Sequence, residues 1–284
     1  MARPHEYIGV SGVVNQEQQA ELEEMFAEFG LRKWRQLQLG VKATHKPQWL
    51  EIENKYGREW YPVGWDILHS IQTEDTKAIG AVQVFMDTEL VSDEDYRVAF
   101  LNRVVGITAL YWLTRVQFDL LPDWCENFNL TSDLLDKCDK LYAGRLPSQK
   151  SDPSLTRVLQ CQASIMDEHS PQEIASALAA FGKKLDYVLF DASGGRGLRM
   201  EPDVLLPYIE AVYDRPDLDH LDVAVGGGLN AEVVRAELPK ILRHFPDVSW
   251  DAEGQLHPVN ADGKRPLDMR ACREYFEASA EVLR

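Results

Sequence analysis

Eight short apolar or alternating runs recur along the chain, and helical patterns separate most of them. Runs of this kind, bounded by turn signals, are typical of strands. Alternating strands and helices imply parallel strands, because each helix returns the chain to the same end of the sheet. Eight repeats therefore predict an α/β fold, a closed (β/α)8 TIM barrel, with an open doubly wound sheet as the alternative. The predicted strands are Tyr7–Val14, Arg35–Val41, Ala78–Met86, Thr114–Asp119, Arg157–Ala163, Asp186–Asp191, Leu221–Val225 and Asp247–Asp251.

Local capping signals predict helices between these strands. Asn15, followed three residues later by Gln18, is typical of a helix N-terminus. The segment 170–173 (SPQE) is a capping box with proline at the first helical position. Two further helices are predicted to begin at Pro202 and near Asp268.

Two long segments interrupt the regular spacing of a single predicted barrel domain that covers residues 1–284. They span about 42–70 and 120–154, and each follows a predicted strand. They would therefore lie over the C-terminal face, where barrel enzymes keep their catalytic residues. The first is rich in aromatic residues, which suits a lid over a ligand, although packing on the rim or on another subunit explains it equally well.

The formal charge of −16 restricts the classes of partner. Nucleic acid and anionic membrane surfaces both attract basic proteins, and this chain has no basic stripe. The four cysteines form no CxxC pair and show no zinc-like spacing, which favours a reducing compartment. No apolar run approaches the roughly 18 residues of a membrane span. We expect a cytoplasmic protein without a nucleic-acid or membrane partner.

Two glycine clusters, 191–197 (DASGGRG) and 226–230 (GGGLN), each follow a predicted strand and precede a helical pattern. Backbone amides at such turns, close to the positive end of a helix, can hold a phosphate. Glycines that merely permit tight turns are the simpler explanation for either cluster alone. Two clusters on consecutive strands predict a phosphorylated small molecule at one end of the barrel.

The last third of the chain resembles phosphoribosylanthranilate isomerase. The similarity is good from about 186 to 268, thin over the first half and absent from the two long segments. The order and spacing of three segments carry it, and two shorter segments resemble strands four and one of that family. In this order the segments are 189–197 (LFDASGGRG), 224–233 (AVGGGLNAEV), 249–254 (SWDAEG), 116–119 (VQFD) and 8–13 (IGVSGV).

This resemblance implies a TIM barrel that catalyses an Amadori rearrangement of a phosphoribosyl amine without a cofactor. The family uses an aspartate on strand six as general acid, which is Asp191 here, and a cysteine on strand one as general base. Ser11 replaces that cysteine, and Asp119 replaces a histidine on strand four. Because a serine hydroxyl is a weak base near neutral pH, three alternatives are open. Another carboxylate takes the proton, the chemistry has changed, or the barrel only binds its ligand.

The resemblance and the residues themselves together predict a binding set, in which Lys42 is proposed independently of the resemblance. Arg196 replaces a threonine of the family and adds a cation to the phosphate site. Glu253 replaces a serine and would repel a phosphate unless Arg196 compensates or Glu253 faces solvent. Asp251 is assigned to substrate hydroxyl or amine groups. Lys42 would contact an acidic substrate or form a Schiff base if desolvated, but we expect it to be solvated. The set comprises Gly194, Gly195, Arg196, Gly197, Gly227, Gly228, Asp251, Ala252, Glu253 and Lys42.

Five aspartates fall at or just past the ends of predicted strands, namely Asp87, Asp119, Asp167, Asp191 and Asp251. A ring of carboxylates suits a divalent cation and a metal-dependent lyase or hydrolase. Aspartate is also a common N-cap where a strand turns into a helix, and no metal ligands are assigned. The three predicted functions are an isomerase-like enzyme, a non-catalytic barrel that binds a phosphometabolite, and this metal-dependent enzyme.

Overall fold

A computed structural model describes residues 6–44, 78–86, 115–120, 155–193 and 198–284, with 58, 60, 99, 132–133, 135–137 and 140. For 85–86 and 116–120 it describes the backbone alone. Each of the eight predicted runs overlaps a strand, although several strands begin or end a few residues away from the predicted bounds. The strands are β1 Tyr7–Ser11, β2 Gln36–Thr44, β3 Ala78–Met86, β4 Arg115–Leu120, β5 Thr156–Gln162, β6 Tyr187–Asp191, β7 Asp222–Gly226 and β8 Ser249–Ala252.

All of these strands are parallel to their neighbours, and they follow one another in chain order around a closed barrel. The ring closes where β8 pairs with β1, with Gly9 opposite Asp251. This arrangement confirms the predicted α/β class with a parallel sheet. The strict eightfold alternation and the segments at about 42–70 and 120–154 fall largely outside the described residues and stay predictions.

Helices follow β1 and surround the second half of the barrel. The helices whose bounds the structure gives are α1 Gln16–Glu28, α2 Ala163–Glu168, α3 Pro171–Phe181, α4 Pro202–Tyr213, α5 Ala231–Leu242 and α6 Met269–Val282. None of the helices in the described part of the chain has the length and apolarity that crossing a bilayer requires.

The predicted capping residues begin these helices. Asn15 accepts a hydrogen bond from the amide of Gln18 at 2.8 Å. Ser170 and Glu173 form the complete capping box of α3. Asp268 accepts hydrogen bonds from two amides of the first turn of α6. Each side chain satisfies amides that have no partner within the helix, which explains why these signals could be read from short segments.

The strands place alternate side chains on two sides of the barrel wall. Outward-facing residues of the strands, such as Val10 and Trp250, pack with the helices in the main core. A separate cluster of buried residues contains Tyr7, Tyr187 and Leu189. The guanidinium of Arg115 lies 4.5 Å from the ring centroids of both Tyr7 and Tyr187. Tyr7, Arg115 and Tyr187 are the first residues of their strands, so together they fill the N-terminal end of the barrel.

Candidate active site

A cavity of about 450 Å³, including open solvent at its mouth, lies at the C-terminal ends of the strands. Residues of β3, β5, β6, β7 and β8 and of the following turns line the cavity. They include Gln83, Gln160, Asp191, Gly227, Gly228 and Asp251.

Asp191 is the last residue of β6 and is buried. One of its carboxylate oxygens accepts hydrogen bonds from the amide of Ser193 at 2.9 Å and from the Ser193 hydroxyl at 2.6 Å. The other accepts a hydrogen bond from the side-chain amide of Gln160 at 3.2 Å. The carboxylate is therefore held in one orientation at the wall of the cavity.

The turn after β7 requires two glycines. Gly227 and Gly228 have φ angles of +105° and +58°, which L side chains rarely adopt. A Cβ on Gly228 would lie 2.1 Å from the carbonyl oxygen of Leu198, and one on Gly227 would lie 3.0 Å from Asp191 Oδ1. No described residue accepts a hydrogen bond from the amide of either glycine. The chain then enters α5 through Asn230, whose side chain caps the helix.

Several predicted residues cannot be placed in this cavity. Gly194, Gly195, Arg196, Gly197 and Asp87 lie outside the described residues. The backbone of Asp119 is in register with Phe85 of β3, but its side chain is not among those described. Ala252 is buried in the main core and does not line the cavity.

Asp167 is exposed on α2, one turn beyond the end of β5, so it does not belong to a ring at the barrel mouth. In the part of the chain that the structure describes, no three His, Cys, Asp or Glu side chains are close enough together to hold a metal ion. Of the predicted acidic ring, the described side chains that line the cavity are Asp191 and Asp251.

Ser11 and Asp251 form a pair across the closure of the barrel. The hydroxyl of Ser11, at the end of β1, donates to the Asp251 carboxylate, with its oxygen 3.3 Å and 3.2 Å from Oδ1 and Oδ2. A Cβ on Gly9 would lie 2.4 Å from Asp251 Oδ1. Gly9 therefore leaves the space into which the carboxylate of β8 fits, directly in front of β1.

In the folded protein the pKa of Asp251 is raised from its ordinary 3.8 to about 7. Burial is the largest cause of this rise, and the nearby carboxylate of Glu253 adds to it. The Ser11 hydroxyl and the positive charges of Lys42 and Arg115 oppose the rise, and about 7 is the combined result. A carboxyl group with a pKa near neutrality is able both to accept and to release a proton under ordinary conditions.

Lys42 is buried and forms an ion pair with Glu253, which corrects the expectation of a solvated lysine. Its ammonium group also lies 4.8 Å from the ring centroid of Trp60. The β2 strand continues through Lys42 to Thr44, beyond the predicted end at Val41. The positive charge of Lys42 offsets the negative charge of Glu253, and this reduces the predicted repulsion between Glu253 and a bound phosphate. Lys42 thus has the compensating role that the sequence had suggested for Arg196.

His257 supports the end of β1 and was not found by sequence reasoning. Its ring nitrogens lie 2.9 Å from the carbonyl oxygen of Ser11 and 3.1 Å from that of Arg265. Desolvation lowers the pKa of this buried imidazole. The ring stacks on Trp60 at a centroid distance of 5.2 Å. A Cβ on Gly12 would lie 2.4 Å from His257 Nε2, so glycine is required where the chain leaves β1.

Glutamines of the barrel interior were also missed. Gln83 is 6% exposed, and its Oε1 atom has no hydrogen-bond partner within the described part of the chain. Gln160 is buried and donates to Asp191. The sequence did contain a signal for them, because glutamines alternate with apolar residues in several predicted strands. Such alternation places the glutamine side chains together on one side of the barrel wall.

No protein-family model matches the chain, and no curated protein matches its sequence. Solved structures match its fold. A GH18 chitinase from Pseudoalteromonas aurantia is 10% identical with a TM-score of 0.56, covering 97% of this chain and 100% of the chitinase. A tryptophan synthase complex from Pyrococcus furiosus is 10% identical with a TM-score of 0.52, covering 98% and 97%.

Octameric ribulose-1,5-bisphosphate carboxylase/oxygenase from Pyrococcus horikoshii OT3, in complex with sulfate ion, is also 10% identical. Its TM-score is 0.53, and the match covers 97% of this chain but 58% of the carboxylase chain. Barrels of this type carry many unrelated activities. The similarity to these enzymes therefore shows a generic TIM-type fold.

Proposed function

We propose that this protein binds a phosphorylated, ribose-derived small molecule and isomerises it by an Amadori-type rearrangement, as in the phosphoribosylanthranilate isomerase family. One observation carries the proposal. Asp191 and the Gly227–Gly228 turn line the same cavity at the C-terminal end of the barrel and lie next to each other. They are the residues that the resemblance assigns to the acid and to part of the phosphate site.

Phosphate binding by this turn has a simple physical basis. Left-handed glycines followed by a helix N-terminus turn backbone amides towards an anion and add the positive end of the helix dipole. The amides of Gly227 and Gly228 have no acceptor among the described residues. In a protein with a net charge of −16, an anion has to be held by such local groups.

Asp191 is suited to act on the sugar end of the ligand. Its carboxyl group is buried and oriented by Gln160 and Ser193, so the geometry of a proton transfer would be set before the ligand arrives. Gly226 separates Asp191 from Asp251. A Cβ on Gly226 would lie 3.8 Å from Asp191 Cβ and 3.6 Å from the Asp251 carbonyl oxygen.

The test is turnover of phosphoribosylanthranilate, followed by chromatography, in the wild type and in two variants of β6. Asp191→Asn removes the proposed acid, and we expect turnover to fall by about 10²–10⁴-fold. Asp186→Asn is the matched control, because Asp186 lies immediately before the opposite end of this strand and contacts Arg157. Equal turnover in the wild type and Asp191→Asn would remove the acid assignment.

A binding measurement tests the phosphate site separately. Isothermal titration calorimetry should detect ribose 5-phosphate and not ribose. Failure of both the turnover and the binding experiments would refute the proposed function.

A barrel that binds the same ligand without catalysis is the second candidate, and the serine at the end of β1 favours it. Ser11 brings no thiol to the site, and its hydroxyl donates to Asp251. This candidate predicts that ribose 5-phosphate binds while the wild type turns over no phosphoribosylanthranilate. It also predicts that Ser11→Cys, which restores the family's base, gains activity.

A further inference from the structure

The carboxylate of Asp251 occupies the place in front of strand β1 from which a base would act. It reaches this place from β8, across the closure of the barrel, because Gly9 has no side chain to exclude it. The Ser11 hydroxyl, at the position of the family's cysteine, donates to it. Ser11, which stands where the family has its cysteine, therefore contacts the Asp251 carboxylate, and this carboxylate is able to accept a proton.

We propose that Asp251 is the general base of this barrel and that Ser11 positions it. The inference rests on the proposed function and deepens it, since it assigns the proton acceptor that the replacement of cysteine by Ser11 left open.

The position of Asp251 relative to Asp191 suits an acid and a base that act on one small molecule. Asp191 is paired with Gly226 in the register of β6 and β7, and Gly226 lies beside the backbone of Asp251. Two steps between neighbouring strands, of about 4.8 Å each, separate the backbones by about 10 Å. Both carboxyl groups line the same cavity, so one small ligand in that cavity could contact both of them.

The environment of Asp251 supports proton exchange. Asp251 is 7% exposed, and desolvation is the largest cause that raises its pKa to about 7. Among the residues that the structure describes, the charged and titratable groups that face it from the surrounding strands, the turn after β8 and helix α6 are Tyr7, Lys42, Arg115, Glu253 and Tyr275.

The proposed step balances without an oxidant or a reductant. Asp191 donates a proton to the ring oxygen, the bond from that oxygen to C1 breaks, and the nitrogen lone pair forms a C=N bond. Asp251 then removes the proton from C2. The C2–H electron pair forms a C1=C2 double bond, and the C=N π pair returns to nitrogen. Asp251 returns its proton to C1 while the C2 hydroxyl gives its proton to Asp191, so both residues regain their starting states.

The experiment compares the wild type with Asp251→Asn, Ser11→Ala and Ser11→Cys. We expect the wild type to turn over phosphoribosylanthranilate and Asp251→Asn to lose about 10²–10⁴-fold in kcat. Binding of ribose 5-phosphate by Asp251→Asn should weaken far less than turnover does, because the Gly227–Gly228 turn proposed to hold the phosphate is unchanged. Asp222→Asn is the matched control and should keep its turnover, since Asp222 is a buried aspartate at the N-terminal end of neighbouring β7.

The pH profile separates a base from a merely structural residue. The wild type should lose kcat/KM as the pH falls through about 7, because a base has to be ionised. The Ser11 hydroxyl lowers the pKa of Asp251, so Ser11→Ala should move this limb to higher pH. Its kcat should fall less than that of Asp251→Asn, because it removes the group that positions the base and leaves the base itself in place. An unmoved limb in Ser11→Ala, or full turnover by Asp251→Asn, overturns the inference and leaves the proposed function intact.

The remaining outcomes are also decisive. If the wild type is inactive and Ser11→Cys is active, the base was lost with the thiol and the inference is wrong. If neither protein turns over substrate while ribose 5-phosphate still binds, the barrel only binds its ligand and the inference is again wrong. If ribose 5-phosphate does not bind either, the proposed function fails together with the inference.

Discussion

Replacing Asp251 with asparagine should make the protein more stable at alkaline pH than the wild type. The change keeps the shape of the side chain and an oxygen that accepts the Ser11 hydroxyl, but it removes the group that has to ionise in a buried place. Above neutral pH the wild type loses stability, because the ionised Asp251 carboxylate is shielded from water and lies close to the negative charge of Glu253.

The size of the effect follows from the difference in pKa between the folded and unfolded states. In the unfolded chain the carboxyl group releases its proton near 3.8, whereas in the folded protein it holds the proton to about 7. The folded state therefore binds more protons between these values, and its stability falls as the pH rises. The difference of about three pKa units corresponds to about 4 kcal/mol, fully lost above about pH 7.

Urea denaturation of the wild type and Asp251→Asn at about pH 4 and about pH 8 measures this cost. The difference in unfolding free energy between the two proteins should change by about 4 kcal/mol in favour of Asp251→Asn from the lower to the higher pH. Comparing the two proteins cancels the titration of all other groups. A difference that is the same at both pH values would refute the assigned burial and charge environment of Asp251.

Two further predictions concern backbone and capping. The free energy of unfolding of Gly228→Ala should fall by about 3 kcal/mol, because φ is positive at this position and the new Cβ would lie 2.1 Å from the carbonyl oxygen of Leu198. Gly263→Ala is the control, because φ is +75° there but an added Cβ would have no atom within 4 Å; its free energy of unfolding should fall by about 1–2 kcal/mol. Equal losses of stability in the two variants, measured by thermal or urea unfolding, would contradict the clash at Gly228. Ser170→Ala removes the N-cap of α3, so its free energy of unfolding should fall by about 1 kcal/mol. Ser170→Thr keeps a hydroxyl at the cap and should retain most of the stability. Equal unfolding midpoints for these two variants would contradict the capping role of Ser170.

The parts of the fold that local chemistry determines were predictable from the sequence. Asn15 and Ser170 act on amides three residues away, and each strand appears as a contiguous run. The errors lie at strand ends. The first strand was predicted to reach Val14 but ends at Ser11, because Gly12, with φ of +92°, turns the chain and its amide bonds to the carbonyl oxygen of Gly40.

The candidate site was predictable where a single segment carries it. Asp191 and the Gly227–Gly228 turn each belong to a recognisable strand-to-helix segment, and the structure brings them into contact. The pairs that set the charges are different. Ser11 and Asp251 are 240 residues apart in the chain, and Lys42 and Glu253 are 211 apart. Only closure of the barrel brings such residues together, so the sequence alone indicated a solvated lysine.

These two pairs make the site one electrostatic unit. Glu253 raises the pKa of Asp251 while Lys42 lowers it, and the Lys42–Glu253 ion pair holds both charges beside the carboxyl group. A phosphate seated at Gly227–Gly228 would add negative charge to the same cavity and raise the pKa of Asp251 further. The ligand thus strengthens the tendency of Asp251 to take a proton. The net charge of −16 opposes the binding of a phosphate, but a phosphate that does bind beside Asp251 would make this carboxylate a stronger base.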